Sequence, residues 1–592
     1  MSSITLLVVG LFAFLAGYHI YSRYIARHIY RLDPDFRTPS HQFEDGVDFV
    51  PTNRHILFGH HFTSVAGAAP IVGPAIAVIW GWLPAFLWVV LGTVFAGAVH
   101  DFGTLWVSTR HKAQSMGTLA DTIVGGRARV LFLLIIFFLL LLVNAVFAVV
   151  IANLFMANPG AALPVWGSLV VAVVVGFLIY RTKAGILWPS LTALGILYLL
   201  IWFGQYVPFS LPDFFNFSPT AAQVSGAGGD VQAAAAAATT DGVRAGWVIL
   251  LFVYGFFASV LPVWVLLQPR DYINSHQLFV ALGIIFLGIL LTNPPVIAPA
   301  INDRLPADAP GWFPLLFVTI ACGAISGFHG LVASGTSSKQ LDKETDARYV
   351  GYGGALGEGT VALTSILATT AGFAVFAGID GWHAHYATWA QASAGATTAF
   401  VNGIGVLAEG VGIPHAVAVI FAAVVVISFA ATTMDTGVRL QRYIITELGA
   451  QYRVSAVQNR WVATLIAVAS CVALALGIDR GAGGMRLWAL FGTTNQLTAG
   501  LSLLVVTIFL LTLKRNVWIT VIPMAFLFFM TTWAMIGNLV RYWTDNQTLL
   551  LVVGGAIFVL ELWLIFEAVV AIRRVVNGRS ATADAAQQRE AS

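Results

Sequence analysis

Fifteen separate stretches of this chain are each apolar over about the 20 residues that an α-helix needs to cross the hydrocarbon core of a bilayer. They run near 4–22, 56–80, 82–109, 130–156, 163–180, 185–206, 246–268, 277–299, 312–335, 351–378, 414–437, 460–478, 486–512, 517–540 and 547–571. With 58% hydrophobic and 10% charged residues, a fold in water would be covered in apolar patches. In lipid each stretch satisfies its own backbone as a helix, so the chain reads as an all-α polytopic membrane protein. The first stretch lacks a charged segment before it and a small-residue cleavage site after it, and is expected to be retained as a helix. Cys322 and Cys471 both sit in apolar stretches and give neither a disulfide framework nor metal-ligand spacing. A net charge of +3 does not point to nucleic acid.

Loop charges give an independent reading, because cytoplasmic loops carry excess Lys and Arg. With the N-terminus outside, 25 of the 30 Lys and Arg residues fall on inside segments. The inside groups run from Arg23, Arg27, Arg31, Arg37 and Arg54 to Arg573, Arg574, Arg579 and Arg589. The expected topology is N-out, C-in. The organisation that follows is a peripheral helix and cytoplasmic segment (1–55), a first five-helix repeat (56–206), a periplasmic loop (207–245), a second five-helix repeat (246–447), further C-terminal helices (458–577) and a disordered cytoplasmic tail (578–592). The run Ala233 to Ala238 reads as flexible or weakly ordered, and 379–413 as a second outside loop.

The informative spans are those that ought to break. Gly59-His-His-Phe-Thr-Ser-Val-Ala-Gly-Ala-Ala-Pro-Ile-Val-Gly-Pro74 places two prolines and three glycines in one span, which interrupts a helical ladder. Carriers use such interruptions near the midplane to hold substrate and coupling ions; a kinked packing helix with small residues at its interface is the bland alternative. Tyr254-Gly-Phe-Phe-Ala-Ser-Val-Leu-Pro262 suggests a second interruption in a span of opposite direction, as an inverted repeat would supply. Together they nominate Thr63, Ser64, Gly67, Ala68, Gly73, Tyr254 and Ser259 for substrate. A half-helix N-terminus in the Gly67–Gly73 break would suit a carboxylate.

Ionisable groups inside spans are costly and default to function. His100, Asp101, His329 and Glu358 are the candidates for proton coupling, since burial and neighbours move the affinity of such groups for a proton. Structural alternatives are an Asp101 partnership with Arg110, and pairing of Glu358 and Asp435 with Arg348 and Arg439. Ser334, Thr336 and Ser337 are the oxygen donors that would suit a sodium ion, or simply pack a helix end. Glu561 and Glu567 read as packing or assembly residues. His60 and His61 point to different helix faces, which disfavours a two-histidine metal site.

At these residues the sequence resembles the carbon starvation protein A (CstA) family. The matching stretches are Gly59–Pro74, Gly97-Ala-Val-His-Asp-Phe102, Leu261-Pro-Val-Trp-Val-Leu-Leu-Gln-Pro-Arg-Asp-Tyr272, Ala321–Gln340, Tyr352-Gly-Gly354 and Leu490-Phe-Gly-Thr-Thr-Asn-Gln-Leu497. The resemblance implies a bacterial inner-membrane uptake carrier, linked to short peptides in some members and to proton-coupled pyruvate uptake in others. It also implies a five-plus-five inverted-repeat core of the amino acid–polyamine–organocation (LeuT-like) type. The chain is shorter than the longest members between the tenth and eleventh helices.

The reading is therefore a secondary active importer of a small carboxylate, peptide or pyruvate, serving carbon starvation. No P-loop appears, so an ion gradient supplies the energy, protons first and sodium as the alternative, with no other cofactor. A nutrient sensor without transport would need an output domain that the short loops and tail do not offer, and an enzyme would need a nucleophile–base pair or metal constellation that the sequence lacks. Membrane lipid is the other partner; the sequence leaves oligomeric state open.

Overall fold

The computed structural model describes residues 1–577 except 47, 183, 184, 186 and 263. Lys183, Arg579, Arg589 and the tail 578–592, expected to be disordered, lie outside the described residues. Among the described residues the protein is built of helices, with only two isolated β-bridges. Thirteen helices are long and apolar enough to cross a membrane, fourteen if the bent pair Arg54–Val65 and Ala69–Trp80 counts as one span. The fifteenth expected segment, 312–335, is not a continuous helix: it breaks into Trp312–Thr319 and Gly327–Val332.

The helices sort into two units. The first comprises Met1–Leu139, Asn293–Ala392 and the chain from Ala489; the second comprises Leu140–Thr292 and Ser393–Trp488. In the second unit the apolar middle of His415–Gln451 is almost wholly buried, with neighbours on all sides, as expected of a packed membrane helix. In the first unit the terminal helix Thr548–Val576 shows most of its surface instead, which in lipid is no penalty.

Three further sequence expectations are corrected. The alanine run is not flexible: it belongs to the helix Val231–Val260, whose N-cap Asp230 accepts from the amides of Gln232 and Ala233. Alanine is the best helix former, and low complexity concealed that. Pro262 does not interrupt a span, because the helix ends at Val260. Arg439 donates to the carbonyls of Ala258 (2.8 Å) and Leu261 (2.7 Å), and Arg442 to that of Ser259 (2.9 Å). Two cations thus cap the negative end of this helix, and Gln268-Pro-Arg-Asp-Tyr272 opens the next helix, Leu267–Thr292. Finally, much of 379–413 is helical, as Gly378–His385 and Trp389–Glu409.

Candidate functional site

The first unit holds two interrupted segments side by side. Arg54–Val65 and Ala69–Trp80 meet at 50°, with Ala66 out of helical geometry (φ −78°, ψ 70°) and Pro70 fixing the first turn of the following half. The second segment breaks between Ile320 (φ −92°, ψ 58°) and Ser326 (φ −131°, ψ 127°). The two segments touch through backbone: a Cβ added to Gly73 would lie 2.4 Å from the Thr319 carbonyl oxygen. Only glycine permits that approach.

Broken helices at membrane depth must find partners for their freed backbone groups. The second break finds them in side chains. Trp88 Nε1 donates to the Ile320 carbonyl (3.3 Å), Thr93 Oγ1 to that of Gly323 (3.2 Å) and Gln496 Nε2 to that of Phe317 (2.7 Å). Asn495 does most: its Oδ1 accepts the Phe328 amide (3.0 Å), and its Nδ2 reaches Ser326 Oγ and Cys322 Sγ (3.0 Å each). Gly327 lets the helix carrying Asn495 come close, since a Cβ there would lie 2.4 Å from the Asn495 carbonyl oxygen. Sequence reasoning assigned Asn495 and Gln496 no role. The signal was the polar triplet Thr494-Asn495-Gln496 inside an otherwise apolar span.

Between the breaks and the helix ends lies a buried chain of titratable groups. His100 and Asp101 lie on Ala98–Arg110, His329 on Gly327–Val332 and Glu358 on Gly353–Leu367. His100 Nδ1 is 2.7 Å from Asp101 Oδ1, and His329 Nδ1 is 2.8 Å from Asp101 Oδ2. The far nitrogen of His329 is 3.2 Å from Glu358 Oε2. None of the four residues is more than 3% exposed. His329 therefore faces a carboxylate from each ring nitrogen, and only the doubly protonated ring donates to both. His61, on Arg54–Val65, pairs through Nδ1 with Ser337 Oγ (2.8 Å). Glycines open the space for both outer imidazoles: a Cβ on Gly330 would lie 3.1 Å from His100 Nε2, and one on Gly354 would lie 2.7 Å from His61 Cδ2.

Five buried polar atoms here, His61 Nε2, His100 Nε2, His329 Nε2, Glu358 Oε1 and Thr63 Oγ1, have no hydrogen-bond partner among the described residues, although His329 Nε2 lies within ion-pair distance of Glu358. Buried polar groups are rarely left so unless water, an ion or a ligand completes them. The first-unit substrate candidates Thr63, Ser64, Gly67, Ala68 and Gly73 are all buried on the first interrupted segment.

The structure redistributes the other nominated residues. Arg110 is not the partner of Asp101: it grips Glu344 with two hydrogen bonds, one of them Nη2–Oε2 at 2.7 Å. Glu358 pairs with His329 and not with Arg348. In the second unit Asp435 is held by Arg270 and by the hydroxyl of Tyr254 (2.6 Å), and not by Arg439. Tyr254 and Ser259 thus fall in a different unit from the remaining substrate candidates, and Tyr254 is tied into a buried ion pair. Of the candidate sodium ligands, Ser334 Oγ donates to the Gly330 carbonyl of its own helix (2.7 Å) and Ser337 Oγ is engaged by His61; Thr336 is half-buried. Glu561 accepts from Thr531 (2.9 Å) and Thr532 (3.0 Å) between the last two helices.

Comparison with known proteins places the chain in a family. A family described as carbon starvation protein CstA matches residues 2–534. The peptide transporter CstA of Campylobacter jejuni is 32% identical over 92% of this chain and 82% of its own. The pyruvate/proton symporter BtsT of Escherichia coli is 30% identical over 90% of this chain and 81% of its own. The peptide transporter CstA of Bacillus subtilis is 30% identical over 96% of both chains.

Proposed function

The chain belongs to the carbon starvation protein CstA family and is a multi-pass transporter of the bacterial inner membrane rather than an enzyme, and on that premise we propose that it imports a short peptide or pyruvate by proton symport during carbon limitation. The observation that carries the reading is the buried chain His100–Asp101–His329–Glu358 set beside two interrupted helices. An interrupted helix offers backbone amides and carbonyls to a solute without needing charged side chains. The N-terminal end of Ala69–Ala77 suits a carboxylate, the group that pyruvate and every peptide C-terminus share.

Coupling follows from the pairing of these groups. His329 Nδ1 bonds Asp101 and its Nε2 lies 3.2 Å from Glu358, so a doubly protonated ring holds Asp101 by a hydrogen bond and Glu358 by charge, and thereby associates Trp82–Arg110, Gly327–Val332 and Glu344–Phe376. Loss of that proton leaves one nitrogen as an acceptor against a carboxylate, so the contact holds only if the carboxyl takes the proton. Proton occupancy thereby controls whether three helices of the first unit are cross-linked, which is what an alternating-access carrier needs from its coupling ion. Sodium stays the alternative: Ser334 donates its hydroxyl proton to Gly330 and Ser337 pairs with His61, but both oxygens keep lone pairs for a cation. The five-plus-five repeat over 56–206 and 246–447 is likewise part of the proposal.

Purified protein in liposomes, offered labelled pyruvate or dialanine under an inward proton gradient, an inward sodium gradient or neither, tests the reading. Accumulation of one of the two driven by protons alone supports it. Accumulation driven by sodium alone, or binding without transport, overturns it.

A further inference from the structure

A groove of about 550 Å³ opens on the first unit where the bent segment turns into Trp82–Arg110. Its floor is stitched by backbone: the amides of Trp82 and Leu83 donate to the carbonyls of Pro299 (3.1 Å) and Ala300 (3.0 Å), and that of Asn302 to Trp80 (3.1 Å). Leu87 and Leu91 form one wall, and Leu316 and Phe317 of Trp312–Thr319 form another. The polar side-chain donors around it are spent elsewhere. Trp80 Nε1 donates to Pro310 (2.9 Å), Trp88 Nε1 to Ile320 (3.3 Å) and Asn302 Nδ2 to Ile79 (2.8 Å), each to a main-chain carbonyl. A ligand here meets mostly hydrocarbon and aromatic faces.

The surroundings identify the ligand's source. Leu87, Leu91 and Phe95 lie one turn apart on a spanning helix and are 44%, 48% and 51% exposed, so the open side looks onto acyl chains. Trp80 and Trp312 line the groove near the ends of their helices, where tryptophan settles at a bilayer interface. The volume falls in the range of pockets that enclose a small-molecule ligand, about 300–1,000 Å³. We propose that one acyl chain of a bilayer phospholipid seats in this groove and buttresses the half-helix Trp312–Thr319 against Trp88. The ring of Trp88 packs edge-on to Phe317 at 4.9 Å while its Nε1 holds the Ile320 carbonyl at the break. Occupancy is therefore felt where the second segment is interrupted.

The full chain in phosphatidylcholine nanodiscs, doped with phosphatidylcholine bearing a diazirine on one acyl chain, is irradiated and mapped by peptide mass spectrometry. Labelling of 83–91 and 312–317 should exceed that of the lipid-facing Val552, Val559 and Phe566 at least fivefold. Leu305→Trp, which fills the groove, should reduce groove labelling at least fivefold and leave the last helix unchanged; Leu305→Phe serves if that variant fails to fold. Amide exchange over 314–320 should slow in nanodiscs relative to short-chain detergent. Equal labelling of groove and last helix, indifference to the filling variants, or exchange insensitive to lipid would each overturn the proposal. So would an unlabelled groove in which Leu91→Cys cross-links two copies, since a second copy would then be its occupant.

Discussion

Replacing Asn495 by Leu isolates what holds the second interruption open. The two side chains are close in size, so packing changes little while the amide group is lost. The Phe328 amide then loses its acceptor, now at 3.0 Å, and Ser326 Oγ and Cys322 Sγ lose a donor at 3.0 Å. All these residues are buried. Orphaning a buried backbone donor costs about 1–3 kcal/mol, and there is no water in the hydrocarbon core to recover it. That cost falls on the closed, interrupted conformation alone, because in the opened state that exchanges with solvent the Phe328 amide bonds water with or without Asn495. Opening of this region should therefore become easier by roughly 5- to 150-fold, at 1.4 kcal/mol per factor of ten. Hydrogen exchange followed by mass spectrometry over 326–333 reads this directly, with Thr498→Val as the control, since Thr498 bonds only the Thr494 carbonyl of its own helix. Exchange in Asn495→Leu that matches the wild type would refute the view that Asn495 replaces the missing helical partners.

Other outcomes follow from the same contacts. Gly73→Val drives a side chain into the Thr319 carbonyl, 2.4 Å from the new Cβ; uptake per inserted molecule should fall at least tenfold, whereas Gly555→Ala, with nothing within 4 Å, should leave it unchanged. Arg439→Gln removes the charged donor to Ala258 and Leu261; hydrogen bonds to charged groups contribute about 1.5–3 kcal/mol, so exchange over 256–261 should accelerate at least fivefold. Glu561→Gln keeps an acceptor for Thr531 and Thr532, and gradient-driven uptake should stay within twofold of the wild type, which separates this carboxylate from the coupling chain.

The spans were legible because lipid imposes one rule on every one of them, an apolar run long enough to cross, and the thirteen continuous helices lie on runs read from the sequence. The first interruption was legible for a local reason, since Pro70 and Pro74 cannot continue a ladder. The second carries no proline. It exists because Trp88, Thr93, Gln496 and Asn495, all distant in sequence, supply its partners, and a search for local breakers misses it. Pro262 misled for the converse reason: a helix end capped by Arg439 and Arg442 looks like a break when the capping helix lies some 180 residues away. Of the coupling candidates, His100, Asp101, His329 and Glu358 were nominated one by one as ionisable residues within spans, and the structure joins them into one chain.

The central claim is that this chain carries a proton with the solute. Proteoliposomes loaded with a pH-sensitive dye and held without any imposed gradient test it, with protein-free vesicles to subtract passive acid entry. Addition of external pyruvate or dialanine should acidify the interior with wild-type protein and fail to do so with Asp101→Asn or Glu358→Gln, while both variants still exchange labelled solute across the membrane. Solute entry without acidification in the wild type, or acidification that survives both substitutions, would contradict the account.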